Sequence, residues 1–199
     1  MQIYGDKRSG NCYKIQLLLA LLGKSCEWID IDLLAGDSRT PAFLNKNPNG
    51  KIPLLELDDG RTLAESNAIL NYIGSGSSLI PSSAFDQAQM LQWQFFEQYS
   101  HEPYIAVARY INLYLGLPDE RKSEYESKQD GGHKALSVME QRLASSLYLV
   151  GNQLSLADIS LFAYTHVAHQ GGFDLIGYPA IRNWISLIKD HKGFVPMAV

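Results

Sequence analysis

All of the strand-type patterning in this 199-residue chain lies before residue 64, and every periodic segment after it repeats at the spacing of a helix. A chain divided this way is predicted to fold as an α/β part followed by an all-helical part. Gln2 to Gly5 reads as a short strand ended by a polar loop, and Tyr13 to Leu22 as an apolar helix stopped by Gly23. Cys26 to Asp32 mixes Trp28, Ile29 and Ile31 with acidic residues in a second strand, which makes the opening β-α-β. Thr40, Pro41, Phe43 and Leu44 start a short helix. Pro53 to Leu57 and Arg61 to Leu63 flank Asp58-Asp59-Gly60, and an Asp-Gly pair between apolar runs favours a tight hairpin. Glu65 to Ile73 is a further helix, giving βαβαββα.

The boundary falls in Ser75 to Ser83, where Gly76, Pro81 and five serines form the one linker-like stretch. Domains are expected over 1–76 and 85–199, joined by a linker over 77–84. Helices are predicted within Phe85 to Leu115, Asp119 to Tyr148, Ser155 to His169 and Pro179 to His191. His101-Glu102-Pro103 is expected to bend the first of these. Ser155-Leu156-Ala157-Asp158 sets a hydroxyl at a helix start and a carboxylate three residues on, with Leu154 and Ile159 spaced as a hydrophobic staple. That pattern is a folding device, not a catalytic pair.

Charge and cysteine content narrow the function. Before and after Gly76 there are 8 basic against 9 acidic and 9 basic against 12 acidic residues, summing to a formal charge of −4. Neither half is basic, which removes the electrostatic footing of nucleic-acid binding. Hydrophobic residues make up 46%, enough for a core without staples. Cys12 and Cys26 are too few for a disulfide scaffold and have no zinc spacing, so a reducing, cytoplasmic setting is expected. The longest apolar run, Leu17 to Leu22, falls far short of the roughly 20 residues that span a bilayer, and Asp6, Lys7 and Arg8 spoil a secretory signal. No membrane association is expected. His166 and His169 are three apart on a helix, but no carboxylate or cysteine completes a metal site, and none is expected.

Three clusters carry candidate chemistry. Ser9-Gly10-Asn11-Cys12 joins the first strand to the first helix, where unpaired amides and the positive end of a helix dipole stabilise an anion such as a thiolate. Lys51-Ile52-Pro53 enters a strand with Ile52 extended, so that Ile52 can pair by backbone with a peptide-like ligand. Glu65-Ser66-Asn67 opens the next helix with a hydroxyl and helix amides for a carboxylate and a carboxylate for an ammonium, which suits an α-amino acid end. Taken singly, the first and third clusters also read as plain helix caps, and local sequence favours a trans Pro53.

In this order, on this pattern, the chain resembles the cytosolic glutathione transferase family. The resemblance rests on IYGDKRSGNCYKIQLLLALLG, TPAFLNKNPNGKIPLLELDDGRTLAESNAILNYI and LSLADISLFAY, and with the domain order it covers nearly the whole chain. It implies an α/β thioredoxin-like N-terminal domain that binds glutathione as co-substrate, and an all-α C-terminal domain that lines a pocket for a small hydrophobic electrophile. It also implies a cis Pro53 and a homodimer. By position, Ser9 activates the thiol, Ile52 pairs with the cysteinyl part, Glu65 and Ser66 hold the γ-glutamyl end, and Arg39 and Lys51 meet the glycyl carboxylate. Tyr4 lies inside the first strand and the double-serine-cysteine signature of maleylacetoacetate isomerases is absent. A Ser/Thr-type or Asn-assisted bacterial subclass therefore fits better, with Ser9 ranked first, Asn11 second and Cys12 third. Cys12 sits where a bacterial class forms mixed disulfides with glutathione.

Seven aromatics lie between Trp93 and Tyr114, too many to face one core, so some are expected to line the electrophile site. The resemblance points to Tyr104, Val107 and Ala108, with Arg109 reaching toward ligand. The expected activity is glutathione conjugation, with glutathione-dependent peroxidase, disulfide-reductase, isomerase or dehalogenase chemistry as variants. A noncatalytic, partner-binding module of the same fold is the alternative.

Overall fold

The computed structural model describes residues 1–198, which divide into two compact units. The first holds Met1–Ser77 and the chain from His191 onward; the second is Ser78–Asp190.

Four strands form the sheet of the first unit: β1 (Gln2–Gly5), β2 (Glu27–Asp30), β3 (Leu54–Glu56) and β4 (Thr62–Ala64), in the order β2-β1-β3-β4. β1 runs parallel to β2 with Ile3 opposite Trp28, and antiparallel to β3 with Ile3 opposite Leu55; β3 and β4 close the expected hairpin. Ile3, Leu54 and Leu55 are almost wholly buried, as central strands of a covered sheet require. Around them lie α1 (Gly10–Leu21), α2 (Pro41–Lys46) and α3 (Ser66–Gly74). Seven of the twelve α1 residues are buried hydrophobics or lysine on every side of the helix, from Cys12 to Leu19, which marks a core helix and not a surface stripe. Gly5 lets this helix approach the strand, since a Cβ there would meet Cys12 Sγ at 2.7 Å.

The tail from His191 packs against α1, although its place in the sequence groups it with the helices of 85–199. The Tyr13 hydroxyl donates to the Val195 carbonyl at 2.8 Å and Met197 is buried. A helix apolar on all sides needs such a cover, and the tail supplies it.

The second unit contains α4 (Ala84–Phe96), α5 (Glu102–Arg109), α6 (Lys122–Leu143), α7 (Leu156–Thr165) and α8 (Pro179–Lys189). Between α4 and α5 the chain widens into a π-helical turn, Glu97–His101, and a second such turn, Tyr110–Tyr114, follows α5. Pro103 explains the first: it has no N–H to give and its ring displaces the carbonyl four residues back, so the ladder loosens just before it. Every residue of α7 is buried. Its expected capping box forms, and the buried Asp158 carboxylate accepts from Leu149 N, Ser155 N, Ser155 Oγ and Trp184 Nε1 at 2.8–2.9 Å. At the end of α7 the His166 ring stacks on Phe162 at 4.4 Å with Nδ1 2.7 Å from the Phe162 carbonyl, and burial pushes its pKa down to about 4. One ring nitrogen is thereby committed to the backbone, and among the described residues no group of three or more His, Cys, Asp or Glu could hold a metal. No helix among the described residues is long and apolar enough to cross a membrane.

Candidate glutathione site

Ser9 ends the loop after β1 and heads α1. Its backbone is extended and its carbonyl accepts from Tyr13 N at 2.8 Å, yet its side chain makes no capping hydrogen bond. Thr40 and Ser83 do cap α2 and α4 with their side chains. The plain-cap reading of Ser9 thus gives way, and its half-buried hydroxyl stands at the positive end of a 12-residue helix. Cys12, one turn in, is fully buried, and its thiol is pushed up to about 12. Burial outweighs the hydrogen bonds from Ser9 and the Asp6 backbone that pull the other way. In this structure the Cys12 side chain is packed within the core of the first unit.

Asn11 lies beside Ser9, and its Oδ1 accepts from Ser66 Oγ at 3.2 Å. That bond ties the first cluster to the third. Ser66 is buried in the first turn of α3, and its Oγ accepts in turn from Lys14 Nζ at 3.1 Å. Lys14 is wholly buried within α1. Sequence reasoning missed it, although a lone lysine within Tyr13 to Leu22 is a signal: a charge inside an otherwise apolar helix needs a partner.

Glu65, at the N-cap of α3, has φ +68° and ψ +115° with an exposed side chain. A non-glycine residue held there stores about 1–3 kcal/mol, and such strain gathers at ligand sites. Ahead of β3 the Ile52–Pro53 peptide bond is cis, as the resemblance implies. The turn before it brings Arg39 against Asn49, whose carbonyl accepts from Arg39 Nη1 at 3.2 Å. A Cβ on Gly50 would strike that guanidinium at 2.6 Å. Lys51 is exposed next to it, and its carbonyl is held by Asn47 Nδ2 at 2.7 Å. Tyr4 is committed elsewhere: its hydroxyl donates to Glu56 at 2.6 Å, and this hydrogen bond leads the causes that raise its pKa. Lys46 completes the cluster by an ion pair to the same carboxylate.

The first unit thus presents a hydroxyl at one helix start, a hydroxyl and a carboxylate at another, and two cations beside a cis-proline turn. Sequence comparison decides what this set belongs to. The profile of the glutathione S-transferase N-terminal domain matches residues 1–75, and that of the C-terminal domain matches residues 89–189. The chain belongs to the glutathione S-transferase family.

That family is enzymatic, and solved members share the whole architecture. A glutathione S-transferase from Pseudomonas fluorescens is 59% identical, covers 100% of this chain and 98% of its own, and superposes with a TM-score of 0.97. A maleylacetoacetate isomerase from Methylobacterium extorquens, solved with malonate and glutathione bound, is 26% identical over 97% of this chain and 94% of its own, with a TM-score of 0.82. The disulfide-bond oxidoreductase YfcG of Escherichia coli is 30% identical over 90% of this chain and 86% of its own. The chain also matches elongation factor 1-gamma of Artemia salina, of which it spans 39%.

In the helical unit, the resemblance puts the expected second-substrate pocket at Tyr104, Val107, Ala108 and Arg109. Ala108 is fully buried, and Arg109, 3% exposed, donates from Nε to Gln170 Oε1 at 2.6 Å and lies over the Tyr114 ring. Both are engaged in packing inside this unit. Tyr104 and Val107 keep partial exposure, with the Tyr104 ring close enough to Gly131 that any Cβ there would clash at 2.2 Å.

Proposed function

We propose that this chain is a glutathione transferase that joins the thiolate of glutathione to small apolar electrophiles. The observation that carries this reading is Ser9: a hydroxyl at a helix start, not spent on capping, beside an Asn11 held by Ser66. A thiol bound there loses its proton to solvent more readily, because the Ser9 hydroxyl and the α1 dipole favour the anion. The thiolate sulfur then forms a bond to the electrophilic carbon, whose leaving group departs with the electron pair. Glu65 meets the γ-glutamyl ammonium, Ser66 and the α3 amides its carboxylate, the Ile52 backbone the cysteinyl part, and Arg39 with Lys51 the glycyl carboxylate. Tyr104 and Val107 are the wall residues retained for the electrophile. With Cys12 buried, peroxide or disulfide reduction at this site would run through glutathione and not through the Cys12 thiol. Titration calorimetry tests the assignment. Glutathione is expected to bind, and cysteinylglycine, which lacks the γ-glutamyl end, to bind at least tenfold more weakly. Equal affinity for both would contradict the roles of Glu65 and Ser66.

The protein pairs as a homodimer in this reading. Phe85, Phe95 and Tyr99 on α4 and the turn after it are each at least 70% exposed, and Leu91 adds to them, an apolar surface that soluble monomers seldom leave open. Sedimentation is expected to give about twice the chain mass; a mass near 22.2 kDa would contradict it. A second reading is a partner-binding module without turnover, and the match to a protein named as an elongation factor, not as a transferase, favours it. A fold with intact glutathione binding and no activity against any electrophile, peroxide or disulfide would favour it.

A further inference from the structure

The deepest charge in the first unit belongs to a residue that the assignment above does not use. Lys14 is 0% exposed, and its Nζ stands 3.1 Å from Ser66 Oγ, which in turn lies 3.2 Å from Asn11 Oδ1. We propose that Lys14 is a positioning residue that sets the direction of the chain Lys14→Ser66→Asn11, and so makes the α3 end of the site selective for a carboxylate. The inference rests on the glutathione-binding reading and deepens it.

Donor chemistry carries the argument. An ammonium has three donors and no acceptor, so Ser66 Oγ must accept from it. The hydroxyl proton of Ser66 is then directed away from Lys14, in this structure to Asn11 Oδ1. A carboxylate arriving at the first turn of α3 takes that proton over from Asn11 Oδ1, and it meets the α3 amides and the buried ammonium behind them. A carboxamide would bring its own NH₂ donors to the same donor-lined place and be refused.

The test compares glutathione with its analogue in which the γ-glutamyl α-carboxylate is an amide, by calorimetry on the full chain. Wild type is expected to prefer glutathione at least tenfold. Lys14→Met keeps the unbranched stem and removes the charge. It is expected to weaken glutathione about tenfold while barely changing the amide, so that the preference collapses to about twofold. Lys14→Arg should restore part of it. In a Ser66→Ala background, Lys14→Met should cost less than about twofold, because its route is already cut. Lys14→Gln serves in its place if the Met variant does not give a native circular dichroism spectrum. A retained preference in either folded neutral variant, or equal losses for both ligands, would overturn the inference, as would a Lys14→Met cost that adds in full to that of Ser66→Ala. If wild type binds no glutathione, the functional reading fails and this inference falls with it; if wild type binds and discrimination survives without Lys14, the inference alone fails.

Discussion

Ser9→Ala is expected to lower glutathione-dependent turnover roughly 10- to 100-fold, with the acid limb of the pH-rate profile moving to higher pH. A hydrogen bond to a charged group contributes about 1.5–3 kcal/mol, and each 1.4 kcal/mol is tenfold in rate. The Ser9 side chain makes no capping bond to α1, so its loss should leave the helix, and the melting temperature, almost unchanged. Glutathione affinity should change much less than turnover, since the γ-glutamyl and glycyl contacts lie elsewhere. The pH shift has a definite sign: removing a donor from the thiolate raises the bound thiol's pKa, so a higher pH is needed to populate the reactive form. Asn11→Ala should cost less. A Ser9→Ala variant within about twofold of wild type, with Asn11→Ala down by orders of magnitude, would move the activating role to Asn11. Cys12→Ala should spare the chemistry, because a thiol pushed up to about 12 supplies no thiolate near neutral pH.

The largest effect on stability is expected from Asp158→Ala, about 3–5 kcal/mol. Four donors converge on this one fully buried carboxylate: Leu149 N, Ser155 N, Ser155 Oγ and Trp184 Nε1. Alanine leaves them without an acceptor in a place water does not reach, and an unsatisfied buried donor costs about 1–3 kcal/mol. The helix it starts, α7, is buried along its whole length, so fraying there opens the core of the helical unit. Burial pushes the Asp158 carboxyl up, and the four donors hold it against that pressure. Asp158→Asn should fall between, since one oxygen survives to accept while the new NH₂ group faces existing donors. Denaturant midpoints check this, and a loss below about 1 kcal/mol for the alanine variant would show that the network relaxes around the gap.

These two predictions mark what kinds of feature the sequence carries openly. The Asp158 cap is local: a hydroxyl, a spacing of three and an apolar flank suffice to read it before any fold is known. The strands and the Asp59-Gly60 hairpin are local in the same sense, as alternation and turn chemistry are written within a few residues. Long-range features were not legible. The apolar run around Lys14 signals that its charge needs a partner, but the partner is named only when α3 brings Ser66 to its ammonium. The positive φ of Glu65 has no composition signal, because glycine or asparagine is what a sequence would normally offer there. The π-helical turns before and after α5 add a residue to the turn, which a 3.6-residue period does not register. Arg109, which the resemblance points toward ligand, has contacts that no local pattern announces: its Nε donates to Gln170 Oε1 and its guanidinium lies over the Tyr114 ring. The candidate site residues of the first unit stand out mainly as an ordered set, since each cluster alone is also a helix cap or a strand entrance.

The central claim is that this site binds glutathione and holds its sulfur as a thiolate. A pH titration of bound glutathione, followed by the ultraviolet absorbance of the thiolate, measures both at once. The account predicts a thiolate that appears at least one pH unit below the free thiol's value of about 8.5, and that moves back toward it in Ser9→Ala. Bound glutathione that titrates like the free thiol, or no binding at all, would contradict it.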